Sequence, residues 1–233
     1  MSPRTLASLA AGRGVKVLAL TDHNSGLNCP AFAKVCPPLG MVPIFGMEAT
    51  TLEEIHVLCL FASLEACLDF SAYAYSIIMP FLNNPEITGD QVYVDEEDNI
   101  EGEVDYYLTN PLELSVDDIG AKVLEYSGIT IPAHVDRPAF SMTSQLGVIT
   151  PGPWAALECT RLPPVHWPTA RGGLPLDTLG YPLITSSDAH YSEHIARRPF
   201  ELDLNMEELA PNGLFGGASM DVLKIALAKR PIM

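Results

Sequence analysis

The sequence lacks any apolar run near the ~18 residues that a membrane-spanning helix needs. Its longest candidate, 70–82, is interrupted by Ser71, Ser76 and Pro80. Met1-Ser2-Pro3-Arg4 opens without the apolar core and small-residue cleavage site of an export signal. Together these absences predict a soluble, cytoplasmic protein with no membrane partner. Basic residues are scarce: Lys and Arg number 13 against 29 Asp and Glu, a net charge of −16. That balance argues against broad nucleic-acid binding, which needs a basic footprint. It also sets an unfavourable field for an anionic substrate unless cations gather locally, as a metal cluster would provide. The cysteines (Cys29, Cys36, Cys59, Cys67, Cys159) are odd in number and form no C-x-x-C pair. They read as reduced thiols filling a core, not as a disulfide frame or a zinc finger. There is no internal repeat and no low-complexity tract.

What is present is ample apolar material, 48% of 233 residues, with a mean hydropathy of +0.18. This suits one domain over 1–233. Short apolar runs alternate with amphipathic segments, which predicts an α/β fold with a largely parallel sheet. Ser2 and Pro3 start a helix that Gly12 and Gly14 end. Strands are expected at 15–20, 41–45, 55–60, 129–133, 155–158 and 183–186. Helices are expected over 64–82, from Ser115 to Tyr126 behind a cap-like Ser115/Asp118 pair, and over 220–229. Residues 83–114 read as an insertion, with an acidic hairpin at 91–103. Residues 163–174, rich in Pro and Gly, read as loop.

The histidines carry the chemistry. His23 follows the first strand in Thr21-Asp22-His23-Asn24, His134 follows another in Pro132-Ala133-His134, and His190 a third in Ser187-Asp188-Ala189-His190. Glu48 follows 41–45 in Gly46-Met47-Glu48, and His56 lies within the next strand. The C-terminal end of barrel strands is where such folds build active sites. Imidazole and carboxylate suit zinc, manganese or iron, and a carboxylate can bridge two ions. Asp188 and His190, two apart on an extended segment, point the same way. Taken singly, each of these residues is most simply a turn, cap or core residue; jointly, five at strand ends favour a metal site. His166, in a Pro-flanked loop, reads as structural, and His194 is balanced between the two readings.

This ordered set resembles the PHP (polymerase and histidinol phosphatase) superfamily of metal-dependent phosphoesterases across most of the chain. The resemblance implies a distorted seven-stranded β/α barrel holding up to three metal ions. It implies Glu48 as the bridging carboxylate, His56 and His134 on a second ion, Asp188 on the first, and His23 and His190 on the third. Family members begin with a strand ending in His-x-His, and no His precedes His23 here. The barrel is therefore expected to be incomplete at its first strand and the metals fewer. Either the strand is encoded upstream, or the reduced site is natural. Asn24, Arg137 and Arg197 (or Arg198) are candidate substrate contacts, and surface loop roles fit them equally.

The expected activity is hydrolysis of a phosphate ester of a small metabolite or nucleotide, with metal-activated water attacking phosphorus. Two alternatives stand beside it: a metal-binding but catalytically weak regulatory or scaffolding domain, and an amidohydrolase-like C–N hydrolase. The expected partner is a small phosphorylated substrate, with an oligomer left open.

Overall fold

The computed structural model describes residues 1–160, 162 and 177–229. The whole of the expected 163–174 loop, with His166, lies outside them. In chain order the elements are α1 (Pro3–Gly12), β1 (Val17–Leu20), α2 (Cys29–Val35), β2 (Val42–Thr50), β3 (His56–Phe61) and α3 (Leu64–Ser76). They continue with α4 (Pro85–Thr88), β4 (Val92–Val94), β5 (Ile100–Glu103), α5 (Val116–Glu125), β6 (Gly128–Pro132) and α6 (Met142–Leu146). The last are β7 (Leu157–Cys159), β8 (Leu183–Thr185), α7 (Met206–Leu209) and α8 (Met220–Ala228). Among the described residues no helix is long and apolar enough to cross a membrane.

Local chemistry sets several boundaries. Ser2 Oγ accepts from the Thr5 amide and Ser115 Oγ from the Asp118 amide, so the caps foreseen for α1 and α5 form. The helix expected over 64–82 stops at Ser76. Beyond it the chain turns extended, and Ile78 and Leu82 bridge Leu112 and Tyr106 across the insertion. There β4 and β5 pair antiparallel. Their turn is closed by the Asp95 carboxylate, which accepts from the amides of Glu97 and Asn99 at 2.9 Å each.

Among the described residues no sheet closes, so the expected seven-stranded barrel is corrected there to a mixed α/β arrangement. Four strands form one sheet in the order β1-β2-β3-β6, and β7 pairs with β8 in a second, two-stranded sheet. A parallel bridge, Thr130 to Trp154, links β6 to the segment entering β7. Among the described residues β1 and β8 are each paired on one side only, and a cleft of 1330 Å³ is lined by residues of both. The largely parallel sheet is also corrected, because β2-β3 and β3-β6 run antiparallel. The link from Thr50 to His56 is too short for a crossover helix, so β3 must return beside β2.

Alternation divides the sheet into two faces. Phe45, Met47 and Ala49 of β2 with Val57, Cys59 and Phe61 of β3 pack under the helices with Phe70 and Ile119. Ile44, Leu60, Ile129 and Ile131 form a second cluster with Leu223 and Leu227 of α8. Each fully buried Phe or Ile stabilises the fold by roughly 1.5–3 kcal/mol. All five cysteines are buried and unpaired, as expected of core thiols.

Candidate metal centre

The second face of the sheet carries the site at one end. Glu48 and Thr50 share a face of β2, and Thr50 opposes His56 at the start of β3. Because β3 runs against its neighbours, its N-terminal end lies beside the C-terminal ends of β1, β2 and β6. That reversal explains how a histidine read as lying inside a strand joins residues that follow strands. The strand β2 also runs through Glu48 to Thr50, so Glu48 is a ladder residue and not a loop carboxylate. Its amide donates to the Asp22 carbonyl and its carbonyl accepts from the Asn24 amide, each at 3.0 Å. This pairing extends β1 and fixes His23 next to Glu48.

Three imidazoles converge on the one carboxylate. His56 Nδ1 lies 3.1 Å and His134 Nε2 3.2 Å from Glu48 Oε1, and His23 Nδ1 lies 3.6 Å from Oε2. Donor atoms of His23, Glu48 and His56 fall within 4.8 Å of one another. Glu48 is buried, which by itself would raise its pKa; bonds from His134 and His56, with His56 and His23 nearby, outweigh burial and hold it ionised. Burial lowers the pKa of His23 despite Glu48 beside it, which favours the neutral, ligating form. The Nδ1 atoms of His23 and His134 are buried without a hydrogen-bond partner. An ionised carboxylate among imidazoles, two of them with an unpartnered buried nitrogen, is a donor set that fits a borderline divalent ion.

Asp188 and His190 face this group across a cavity of 270 Å³, which they line with His23, Glu48, His56, Tyr107, Thr109, Arg137 and Phe140. The His23 and His190 rings are 5.8 Å apart. Arg137 Nη1 donates to Asp188 Oδ2 at 2.8 Å. His134 and Asp188 both adopt left-handed backbone, with φ of 31° and 43°. Such strain concentrates at sites that need a side chain aimed in a particular direction.

The remaining sequence candidates divide. Asn24 is buried, and its amide group is fully engaged: Nδ2 donates to the Leu108 and Asn110 carbonyls, and Oδ1 accepts from the Thr50 amide. It ties the insertion to the sheet and does not line the cavity. Arg197 is exposed and grips the Ser187 carbonyl from Nε at 2.8 Å, and Arg198 holds the Thr160 and Ser187 carbonyls. Both brace the Asp188 loop. His194 lies in a 3-10 turn beside Tyr191. Sequence reasoning missed Tyr107, Thr109 and Phe140, which no periodic pattern marks. It also missed Glu158 on β7, a buried carboxylate bonded to Ser186 and pushed up to about 7 by burial.

No family model and no curated protein sequence matches the chain. Solved structures do. One is the lesion-specific endonuclease Q of Pyrococcus furiosus, 15% identical, with a TM-score of 0.57 over 100% of this chain and 53% of that one. Endonuclease Q bound to a 27-mer duplex with an abasic lesion at its active site gives 0.53 at 14% identity, over 98% and 52%. A candidate metal-dependent phosphoesterase of Bifidobacterium adolescentis gives 0.51 at 16% identity, over 94% and 92%. The chain shares their fold. The family resemblance drawn from the motifs is thus borne out at the level of fold. The chain spans about half the length of the endonuclease structures.

These neighbours overturn one expectation. Net charge was read as arguing against broad nucleic-acid binding, and a small phosphorylated substrate was expected, yet this fold is shared with a DNA endonuclease seen with duplex DNA. Net charge sums the whole surface, whereas a strand is gripped at particular residues, so −16 does not decide the partner.

Proposed function

We propose that this chain hydrolyses phosphate esters using divalent metal, zinc, manganese or iron, bound around Glu48. The carrying observation is the convergence of His23, His56 and His134 on the Glu48 carboxylate beside a cavity that also holds Asp188, His190 and Arg137. His23, Glu48, His56 and His134 would hold the metal, with Asp188 and His190 on the opposite wall of the cavity. When bound, such an ion supplies Lewis acidity at phosphorus and lowers the pKa of a water. The chain's own contribution is orientation. Glu48 keeps the imidazoles aimed, the left-handed turns at His134 and Asp188 set their side chains, and Arg137 offers a planar fork to phosphoryl oxygens. The phosphoesterase and endonuclease neighbours support this chemistry. Five unpaired thiols suit a reducing compartment such as the cytoplasm.

The test combines elemental analysis after mild dialysis with turnover of bis(p-nitrophenyl) phosphate and of an abasic duplex in manganese. About one metal or more per chain, with turnover of either ester, is expected. Protein that takes up neither zinc nor manganese on titration overturns the reading. One observation favours a second reading, a metal-binding domain of weak activity: Arg137 already occupies the Asp188 carboxylate. Tight metal uptake without turnover of either ester would establish that one instead.

A further inference from the structure

The aromatic ring over the metal centre has a free face. Phe140 stacks on His56, with ring centroids 4.9 Å apart and planes 18° from parallel. Yet 42% of the residue is exposed, and it lines the 270 Å³ cavity with Tyr107, Thr109 and Arg137. A phenylalanine serving only to cover a histidine has no need of that exposure, nor of its strained left-handed backbone at φ 54°. The loop that presents it is braced at both ends. The Phe140 carbonyl accepts from the His56 amide at 3.0 Å, and the Arg137 amide donates to the His134 carbonyl at 2.8 Å. Ser141, the next residue, donates to the Arg137 carbonyl at 2.7 Å and caps α6. Ring, guanidinium and ligand cluster are therefore fixed around one cavity. Its volume falls just under the ~300–1,000 Å³ of drug-sized sites, room for one phosphoryl group and one ring.

From this arrangement we propose that Phe140 is a stacking platform selecting phosphoesters that carry a planar ring beside the phosphate, as a nucleotide unit does. The base lies on the outer face of Phe140, and the phosphate meets Arg137 and the Glu48 cluster. This rests on the phosphoesterase reading above. Stacking on an aromatic ring is indifferent to base identity, so the platform recognises a nucleotide without reading sequence. The unit could be free or part of a strand, and the chemistry recognised is the same.

The test measures equilibrium binding to the full manganese-loaded chain, using probes that resist hydrolysis. A nucleoside 5′-phosphonate is compared with ribose 5-phosphonate, and a phosphorothioate oligonucleotide with its abasic counterpart. The ring should tighten binding by about tenfold, near 1.4 kcal/mol. Phe140→Leu, which keeps apolar cover over His56, should erase that gain and leave metal content and ringless binding unchanged; Phe140→Trp should retain it. A gain with the mononucleotide supports the platform with free nucleotides as the source, and a gain confined to the oligonucleotide supports it with a strand. Equal binding with and without the ring, or a gain that survives Phe140→Leu, overturns the platform alone. If no phosphonate binds and aryl phosphate is not turned over, the phosphoesterase reading falls and the platform with it.

Discussion

Glu48 on β2 and Glu158 on β7 are both buried, at 6% and 2% exposure, yet their surroundings shift their pKa values in opposite directions. Burial raises the pKa of each. Three imidazoles answer that at Glu48 and hold its carboxyl below the usual range. At Glu158 the Ser186 hydroxyl and the nearby His134 only partly offset burial, to which the charges of Glu48 and Asp188 add, and the carboxyl rises from 4.5 to about 7. The contrast separates a carboxylate answered by three imidazoles from one whose burial is left mostly unanswered. It also divides the molecule. The β2-β3-β6 side is a continuous ladder on which three histidines converge on Glu48, whereas the β7-β8 side is a short pair followed by Asp188, which an arginine holds.

The sharpest way to break the comparison is Glu48→Gln. The amide matches the carboxylate in shape but removes the charge on which His23, His56 and His134 converge. Loss of an outer-shell partner commonly costs ~10–100-fold in metal affinity or activity, so a ligand at the centre should cost about a hundredfold or more. Elemental analysis and turnover should fall together. Full metal content in this variant would mean that Glu48 is a buried ion-pair acceptor and nothing more.

Arg137→Ala probes the other side, with a smaller expected effect. Removing one well-placed donor to a developing anion costs ~10²–10³-fold in comparable sites, and turnover should fall within or below that range. The same change frees Asp188, so metal should bind at least as tightly as before. Opposite movement of turnover and metal affinity identifies Arg137 as a phosphate contact that also rests on Asp188. If neither moves, the ion pair only braces the 188 loop.

Much of the candidate site was legible because polar residues soon after an apolar run mark a strand end, as at His23, His134 and His190. The antiparallel return of β3 was not, since nothing local in 55–60 records direction; only the short link after Thr50 does. Closure of a barrel depends on pairings between distant short strands, and β7 has three residues to offer. Asn24 looked like a substrate contact because its partners, Leu108 and Asn110, lie more than eighty residues away. Phe140 and Glu158 escaped for the same reason: their meaning comes from His56 and from the sheet interior. Net charge misled on the partner because it carries no position.

The smallest effect is on stability, and its sign follows from Glu158. The folded pKa of about 7 lies above the ordinary 4.5, so between those values the folded chain binds a proton that the unfolded chain releases. Stability from this group is fully present below about 4.5 and is lost as pH rises through about 7. The interval corresponds to roughly 3 kcal/mol at ~1.4 kcal/mol per pH unit, an upper figure since the buried group can relax. Glu158→Gln imitates the neutral acid, keeps an acceptor for Ser186 and should remove this slope. Thermal melts in EDTA, which excludes any contribution from bound metal, should show the variant and the parent alike near pH 5. Near pH 8 the variant should melt several degrees higher, at ~2–4 °C per kcal/mol for a chain of this size. Glu48→Gln in the same buffers should show no such gain at high pH, because its carboxylate is stabilised and not stranded. A Glu158→Gln variant that is destabilised equally at both pH values would mean that Glu158 is ionised in the fold, and the contrast between the two glutamates would collapse.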